Sequence, residues 1–234
     1  MTDTTARPEL VVLDMAGTTI DDGLAVYRVL EETVRAHGGA PSEGEIAKWH
    51  GAAKHEALRA LLTPAGSAPL SDELLAPIVD DFRTRLTAAY VERPPVPLPG
   101  VPEALAELRA AGIRVALNTG FDRDVVNSLL SALGWDGDTV ADAVVCGSDV
   151  RTGRPAPFMI FHAMEEVGVQ DVSRVLVAGD TPRDLEAGMN SGAAFVVGVL
   201  SGASDKDELS AHPHTHLLAS VAELPALLGV ARAS

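Results

Sequence analysis

Asp14 stands where an apolar run, Leu10-Val11-Val12-Leu13, gives way to a polar turn containing Gly17, Thr18 and Thr19. The same transition recurs twice: Ile113 to Leu117 ends at Asn118-Thr119-Gly120, and Val175 to Ala178 ends at Gly179-Asp180-Thr181-Pro182-Arg183-Asp184. Taken singly, such an Asp or Thr is more often a helix cap or a turn residue. As an ordered set they offer carboxylates that can attack an electrophile or hold a hard cation, with a hydroxyl beside them. The lysine usage adds a second candidate. Of 18 lysines and arginines only Lys48, Lys54 and Lys206 are lysines. Where such a chain keeps a lysine, the amine itself comes into question, because unlike a guanidinium it can lose its proton and attack a carbonyl.

Strand ends must position these groups. A further apolar run covers Ala194 to Val199, and helical stretches lie between the runs: Val101 to Ala111 with Pro102 in its first turn, Asp122 to Leu133, Pro157 to Val167, and Pro182 to Ser191. Alternating strand and helix argues for an α/β fold with a doubly wound parallel sheet, whose ligands bind beyond the carboxyl ends of the strands. Asp21 to Pro99 breaks this rhythm, with helical patterns and no convincing strand. Leu74, Ile78, Phe82 and Leu86 recur every four residues, Ser42-Glu43-Gly44-Glu45 fits a capping box, and Pro77 must kink or begin the later helix. Arg93 to Gly100, rich in proline, reads as a stiff linker. The expected organisation is a core of residues 1–20 and 100–234 with a helical cap, residues 21–99, inserted after the first strand.

With 234 residues, 47% hydrophobic and 22% charged, the chain can bury one core and carry a smaller module. A formal charge of -15 disfavours nucleic acid and anionic membranes as partners. Neither a signal peptide nor an apolar stretch of membrane-spanning length is evident, so a cytoplasmic location is expected. The single cysteine, Cys146, follows Val144-Val145 in a predicted strand and reads as a small buried residue rather than a nucleophile. His212, His214 and His216 alternate as metal ligands on one strand face could, but no acidic or further histidine partner stands nearby, and a loop leading to the capping box Ser220-Val221-Ala222-Glu223 is the favoured reading.

Asp14-Met15-Ala16-Gly17-Thr18, Asn118-Thr119-Gly120, Arg154-Pro155 and Gly179-Asp180 through Asp184 resemble the four ordered motifs of the haloacid dehalogenase superfamily and cover the whole core. The resemblance implies a Rossmann-like core and a Mg²⁺-dependent hydrolase in which Asp14 attacks phosphorus to give an aspartyl phosphate. It implies that Asp14, the backbone carbonyl of Ala16 and Asp180 hold Mg²⁺, with Asp184 ordering that shell. Thr119, Gly120 and the backbone around Gly17 and Thr18 are expected to contact the phosphoryl group, and Arg154 to supply fixed positive charge.

Most phosphatases of this superfamily have a second Asp two residues beyond the nucleophile, as general acid for the departing alkoxide; here the position is Ala16, which has no proton to give. The haloacid dehalogenases also lack it but need no Mg²⁺, and Asp180 and Asp184 argue against them. Asp-x-Ala-Gly-Thr-Thr together with Arg154 is similar to the phosphonatase branch, the phosphonoacetaldehyde hydrolases and their phosphonatase-like relatives. That branch has a cap lysine, and His50-Gly51-Ala52-Ala53-Lys54-His55-Glu56-Ala57-Leu58 resembles its segment, with Lys54 as the catalytic amine. The implied reaction splits the carbon–phosphorus bond of phosphonoacetaldehyde or a related phosphono-aldehyde, giving an aldehyde and phosphate. An imine on Lys54 accepts the bond's electrons, so no leaving oxygen needs a proton. The chain departs from the pattern at His50, where Met is expected, and at Phe121, where Tyr is expected. His50 and His55 are candidates for substrate contact or proton relay, or for packing. The family implies a homodimer through the cap. The alternatives are a small-molecule phosphate monoesterase and a non-catalytic phosphate-binding or Mg²⁺-sensing module.

Overall fold

The computed structural model describes residues 7–135 and 139–230. In chain order its strands are β1 (Leu10–Asp14), β2 (Ile20–Asp21), β3 (Val96–Pro97), β4 (Arg114–Thr119), β5 (Ala143–Cys146), β6 (Val175–Gly179), β7 (Phe195–Val199) and β8 (His216–Leu218). The α-helices are α1 (Ala25–Ala36), α2 (Glu43–Ala47), α3 (Lys54–Leu62), α4 (Asp72–Glu92), α5 (Val101–Ala110), α6 (Arg123–Leu133), α7 (Phe158–Val167), α8 (Pro182–Ser191), α9 (Lys206–Ser210) and α10 (Leu224–Leu227).

Six strands form one parallel sheet in the order β5-β4-β1-β6-β7-β8. All five residues of β1 are buried, as a central strand covered on both faces requires. Its side chains alternate between two cores. Val11 and Leu13 join Leu105 and Leu108 of α5, while Leu10 and Val12 join Met159 and Ile160 of α7. Helices therefore cover both faces, the doubly wound architecture expected. From β1 the chain passes to β4 and β5 on one side and then crosses to β6 on the other. Asp14 ends the strand at which the order reverses, where an open α/β sheet leaves a crevice.

Helices α1 to α4 lie between β2 and β3. Helices α1, α3 and α4 pack on one another and bury Leu30, Leu58, Leu75, Val79, Phe82 and Leu86. Four local expectations are revised here. The buried face of α4 starts from Leu75 and Val79, whereas Leu74 is 60% exposed. Pro77 does not begin this helix but lies within it, the second of the two alternatives set by the sequence being the one left: Ser71 caps the helix by accepting the Leu74 N–H. The segment is not free of strands, because β3, within the proline-rich linker, pairs antiparallel with β2, Ile20 opposite Pro97 and Asp21 opposite Val96, and so ties the two crossings into the helical segment together. Near the carboxyl end, Ser220 Oγ accepts from Ala222 N in a short 3₁₀ turn rather than forming the expected capping box with Glu223. Among the described residues no helix is long and apolar enough to cross a membrane.

Candidate active site

Register places the site. Asp14 pairs with Asn118 across β1–β4, and Leu13 pairs with Ala178 across β1–β6, so the three strand ends that carry Asp14, Thr119 and Asp180 are adjacent. All three residues are buried, as are Arg154, Asp184 and Lys54. Burying so many charged groups is tolerable only with partners. Arg154 supplies the first: its Nη1 lies 2.7 Å from Asp14 Oδ1 and also donates to Asp184 Oδ1. Asp184 Oδ2 accepts from the backbone N–H and the hydroxyl of Thr181. Asp184 thus braces Arg154 from behind. The Arg154 Nε–H is buried with no acceptor among the described residues, an unsatisfied donor on a residue that lines the cleft.

Asp180 accepts from Thr18 Oγ1 at 2.9 Å and from the Ala203 N–H at 2.7 Å. The backbone closes tightly around it: Gly17 has φ 88°, and a Cβ there would lie 2.5 Å from Asp180 Oδ2, while one on Gly202 would overlap the same carboxylate. Burial first, and the charge of Asp14 second, push the Asp180 carboxyl up to about 7. Asp14 and Asp180, two buried carboxylates on neighbouring strand ends, with Ala16 lining the same cleft, offer hard oxygens that suit Mg²⁺. Among the described residues no group of three or more His, Cys, Asp or Glu is arranged to hold a metal, so the third ligand would have to be the Ala16 backbone. The three carboxy-terminal histidines act separately: His212 pairs with Glu186, His214 Nδ1 bonds the His212 carbonyl, and His216 Nδ1 bonds Thr215.

The segment 50–54 brings Lys54 to these groups. It can approach because the facing positions are glycines; a Cβ on Gly120 would lie 2.6 Å from the Ala52 carbonyl. Lys54 is the first residue of α3, 6% exposed, with Nζ donating to the Ala52 carbonyl at 2.8 Å and lying 5.3 Å from the Tyr27 ring centroid and 5.9 Å from that of Phe121. One narrow cleft is lined by Asp14, Ala16, Lys54, Thr119, Gly120 and Arg154, together with Tyr27 and Phe121. Burial, followed by the charge of Arg154, lowers the Lys54 ammonium to about 8, although Asp14 and Asp22 oppose the shift.

Several expected contacts are not where the sequence put them. The Gly17 N–H bonds the Ile20 carbonyl and the Thr18 N–H the Met15 carbonyl, so neither amide is available to a phosphoryl group; the turn after β1 closes on itself. His50 lies outside the cleft, stacked on Tyr27 with ring centroids 3.9 Å apart, and borders a neighbouring groove with Lys48 and Arg183. Burial and the charge of Lys54 lower its imidazole to about 4, which suits a packed neutral ring. His55 faces a different surface beside Arg59 and Asp72. Sequence reasoning missed Tyr27, an aromatic in an amphipathic helix that reads as core, and Arg183, which donates to the carbonyls of Arg154 and Lys48 and lies over the Trp49 ring. It also missed Gly202 and Ala203, whose loop is far from Asp180 in sequence. Cys146 is buried, and burial pushes its thiol up to about 12, as an inert structural cysteine requires.

Fold and strand-end carboxylates together define a haloacid dehalogenase-like hydrolase, and the model of that family matches residues 8–192. The chain belongs to this family. Among its relatives, phosphonoacetaldehyde hydrolase from Bacillus cereus is 30% identical over 207 residues, spanning 84% of this chain and 77% of the relative. A phosphonoacetaldehyde hydrolase-like protein from Syntrophobacter fumaroxidans is 29% identical over 202 residues, 82% of this chain and 72% of that one. The crystal structure of a phosphonoacetaldehyde hydrolase-like protein from Oleispira antarctica matches with a TM-score of 0.81 at 26% identity, covering 96% of this chain and 92% of the other. CbbY from Rhodobacter sphaeroides, solved with phosphate, shares the fold at 24% identity with a TM-score of 0.75, over 93% and 96% of the two chains.

Proposed function

We propose that this hydrolase cleaves the carbon–phosphorus bond of phosphonoacetaldehyde or a related phosphono-aldehyde. The observation that carries the reading is the presence in one cleft of a buried lysine, Lys54, and the strand-end carboxylate Asp14, with Ala16 where an oxygen leaving group would need an acid. A Lys54 amine near neutrality adds to the aldehyde and, with loss of water, forms an imine. Asp14 attacks phosphorus as the carbon–phosphorus bond electrons move into the protonated imine, giving an enamine on Lys54 and an aspartyl phosphate. Water then releases phosphate from Asp14, and protonation and hydrolysis release the aldehyde from Lys54. Across the cycle one water is consumed and Asp14 and Lys54 are restored. The Arg154 Nε–H and Thr119 hydroxyl stand ready to hold phosphoryl oxygens. Asp14, Asp180 and the Ala16 carbonyl would hold Mg²⁺, whose charge would offset repulsion between a carboxylate and an anionic phosphoryl group. The 30% identity to the Bacillus cereus phosphonoacetaldehyde hydrolase supports the same reading.

The test is phosphate release from phosphonoacetaldehyde and from a panel of phosphate monoesters, with borohydride added in a parallel reaction. The expected result is selective turnover of the phosphonate, inactivation by borohydride only when substrate is present, and a reduced adduct on the Lys54 peptide. Efficient hydrolysis of sugar phosphates with no adduct would instead establish a phosphate monoesterase.

A further inference from the structure

We infer that Tyr27 is a catalytic residue of the aldehyde end of the site, its phenol delivering a proton to the substrate's carbonyl oxygen as Lys54 adds to the carbon. The inference deepens the lysine–imine reading and rests on it. Addition of an amine places negative charge on the carbonyl oxygen, and that oxygen needs a donor inside a cleft from which bulk water is excluded. The cleft offers few. A guanidinium is no practical proton donor, Lys54 must itself be neutral to attack, and an aliphatic hydroxyl such as that of Thr119 is intrinsically a far weaker acid than a phenol. Phe121 has no polar atom. His50 lies outside the cleft. Tyr27 remains.

Its placement fits the task. The ring faces Lys54 Nζ at 5.3 Å from the centroid, and the opposite constraint is the His50 ring, 3.9 Å away and tilted by 31°. The phenolic oxygen accepts the Gly51 N–H at 3.2 Å, and a hydroxyl that accepts one hydrogen bond still has its own proton to donate. Both His50 and Gly51 belong to the segment that carries Lys54, so donor and amine are positioned by one stretch of backbone. Burial above all raises the phenol well above its ordinary value, so it holds its proton when substrate arrives and gives it up only as negative charge develops on the carbonyl oxygen. The step balances. The amine lone pair forms the C–N bond, the carbonyl π electrons move to oxygen, oxygen takes the Tyr27 proton, and the surplus proton on nitrogen returns to the phenolate, leaving a neutral carbinolamine and an intact Tyr27.

Tyr27→Phe keeps the ring against Lys54 and His50 and removes the hydroxyl, which is both the proton donor and the acceptor of the Gly51 N–H. In rapid-mixing borohydride trapping with phosphonoacetaldehyde, the rate of adduct formation on the Lys54 peptide should fall about 10²-fold or more, the usual contribution of a positioned proton donor. Phosphate release in a single turnover should fall in parallel, with the thermal unfolding midpoint close to that of the wild type. Adduct formation at the wild-type rate in Tyr27→Phe would overturn the inference and leave the Lys54 reading standing. A wild-type enzyme that releases phosphate from the phosphonate but yields no adduct would overturn the Lys54 reading, and this inference with it.

Discussion

Arg154 Nη1 reaches Asp14 and Asp184 at once, 2.7 Å from Asp14 Oδ1, so one buried guanidinium nitrogen fixes the strand-end carboxylate against a second carboxylate anchored on Thr181. A planar, permanently charged fork can do this and still aim its Nε–H elsewhere. The relationship makes Arg154 structural and chemical together, and the two parts can be separated by substitution.

Arg154→Lys keeps the charge but provides one point donor where the fork has several. It should lower kcat/KM for the phosphonate by about 10² or more, since loss of one aimed donor at developing charge has that scale, while the protein stays folded. Arg154→Met leaves Asp14 and Asp184 buried without their cation. Breaking a buried pair from one side costs about 3–5 kcal/mol, which urea unfolding would register as a lower midpoint at unchanged slope. Wild-type stability in Arg154→Met would show that the two carboxylates are satisfied without it.

Ala16 lines the cleft and carries no acid. Phosphate monoesters, whose leaving oxygen needs a proton, should therefore turn over slowly, and Ala16→Asp should raise kcat/KM for p-nitrophenyl phosphate or a sugar phosphate. General acid help is worth about 10²–10⁴, which bounds the gain. An Ala16→Asp variant no faster on esters than the wild type, with Mg²⁺ saturating, would place the limitation elsewhere in the cleft.

The strand ends and the order of Asp14, Thr119, Arg154 and Asp180 were legible because each motif is local: an apolar run declares the strand and the polar turn its end. What was not legible depends on chain separation or on very short elements. Strands β2 and β3 have two residues each, too few for any alternation to register. The spacing of four from Leu74 matched a helix and placed Phe82 and Leu86 correctly inside, but in the first half the buried positions are Leu75 and Val79, because the neighbours decide which side is inside. Gly17 and Thr18 were expected as phosphate-binding amides from the motif they resemble, whereas the tight turn uses both of them. Tyr27, Arg183 and Ala203 carry no motif and acquire their places only when the segment 50–54 and the loop after β7 close on the strand ends.

Cys146 should be unreactive. Its thiol, pushed up to about 12 by burial, is not ionised at neutral pH, so a thiol reagent should label the protein only after denaturant is added. Cys146→Ala should leave phosphonate turnover unchanged and cost about 1 kcal/mol of stability or less, a small cavity's worth. Rapid labelling of the native protein, with loss of activity, would contradict the buried assignment.

The amine that must attack the aldehyde sets the pH dependence. Lys54 is held at about 8 against an ordinary value of 10.5, chiefly by burial, so the neutral fraction that can form the imine grows as pH rises toward 8 and levels off above it. The acid limb of kcat/KM for phosphonoacetaldehyde should accordingly bend near pH 8, and an activity that is flat from pH 6 to 9 would remove Lys54 from the reacting state. The stability sign follows from the same values. Between about 8 and 10.5 the unfolded chain binds a proton on Lys54 that the folded chain does not, so the stability contributed at this residue rises with pH through that window and is lowest below 8. Holding the protonated amine in the cleft at pH 7 therefore works against folding, offset in part by the Ala52 carbonyl and Asp14. Lys54→Met, similar in length and apolar, should abolish carbon–phosphorus cleavage yet raise stability at pH 7 by about 1 kcal/mol or more, or about 2–4 °C in Tm for a chain of this size. The gain should shrink as the pH is taken toward 10. A Lys54→Met variant less stable than the wild type at pH 7 would mean that the buried ammonium is fully compensated by its neighbours, and that the lowered value does not arise from burial.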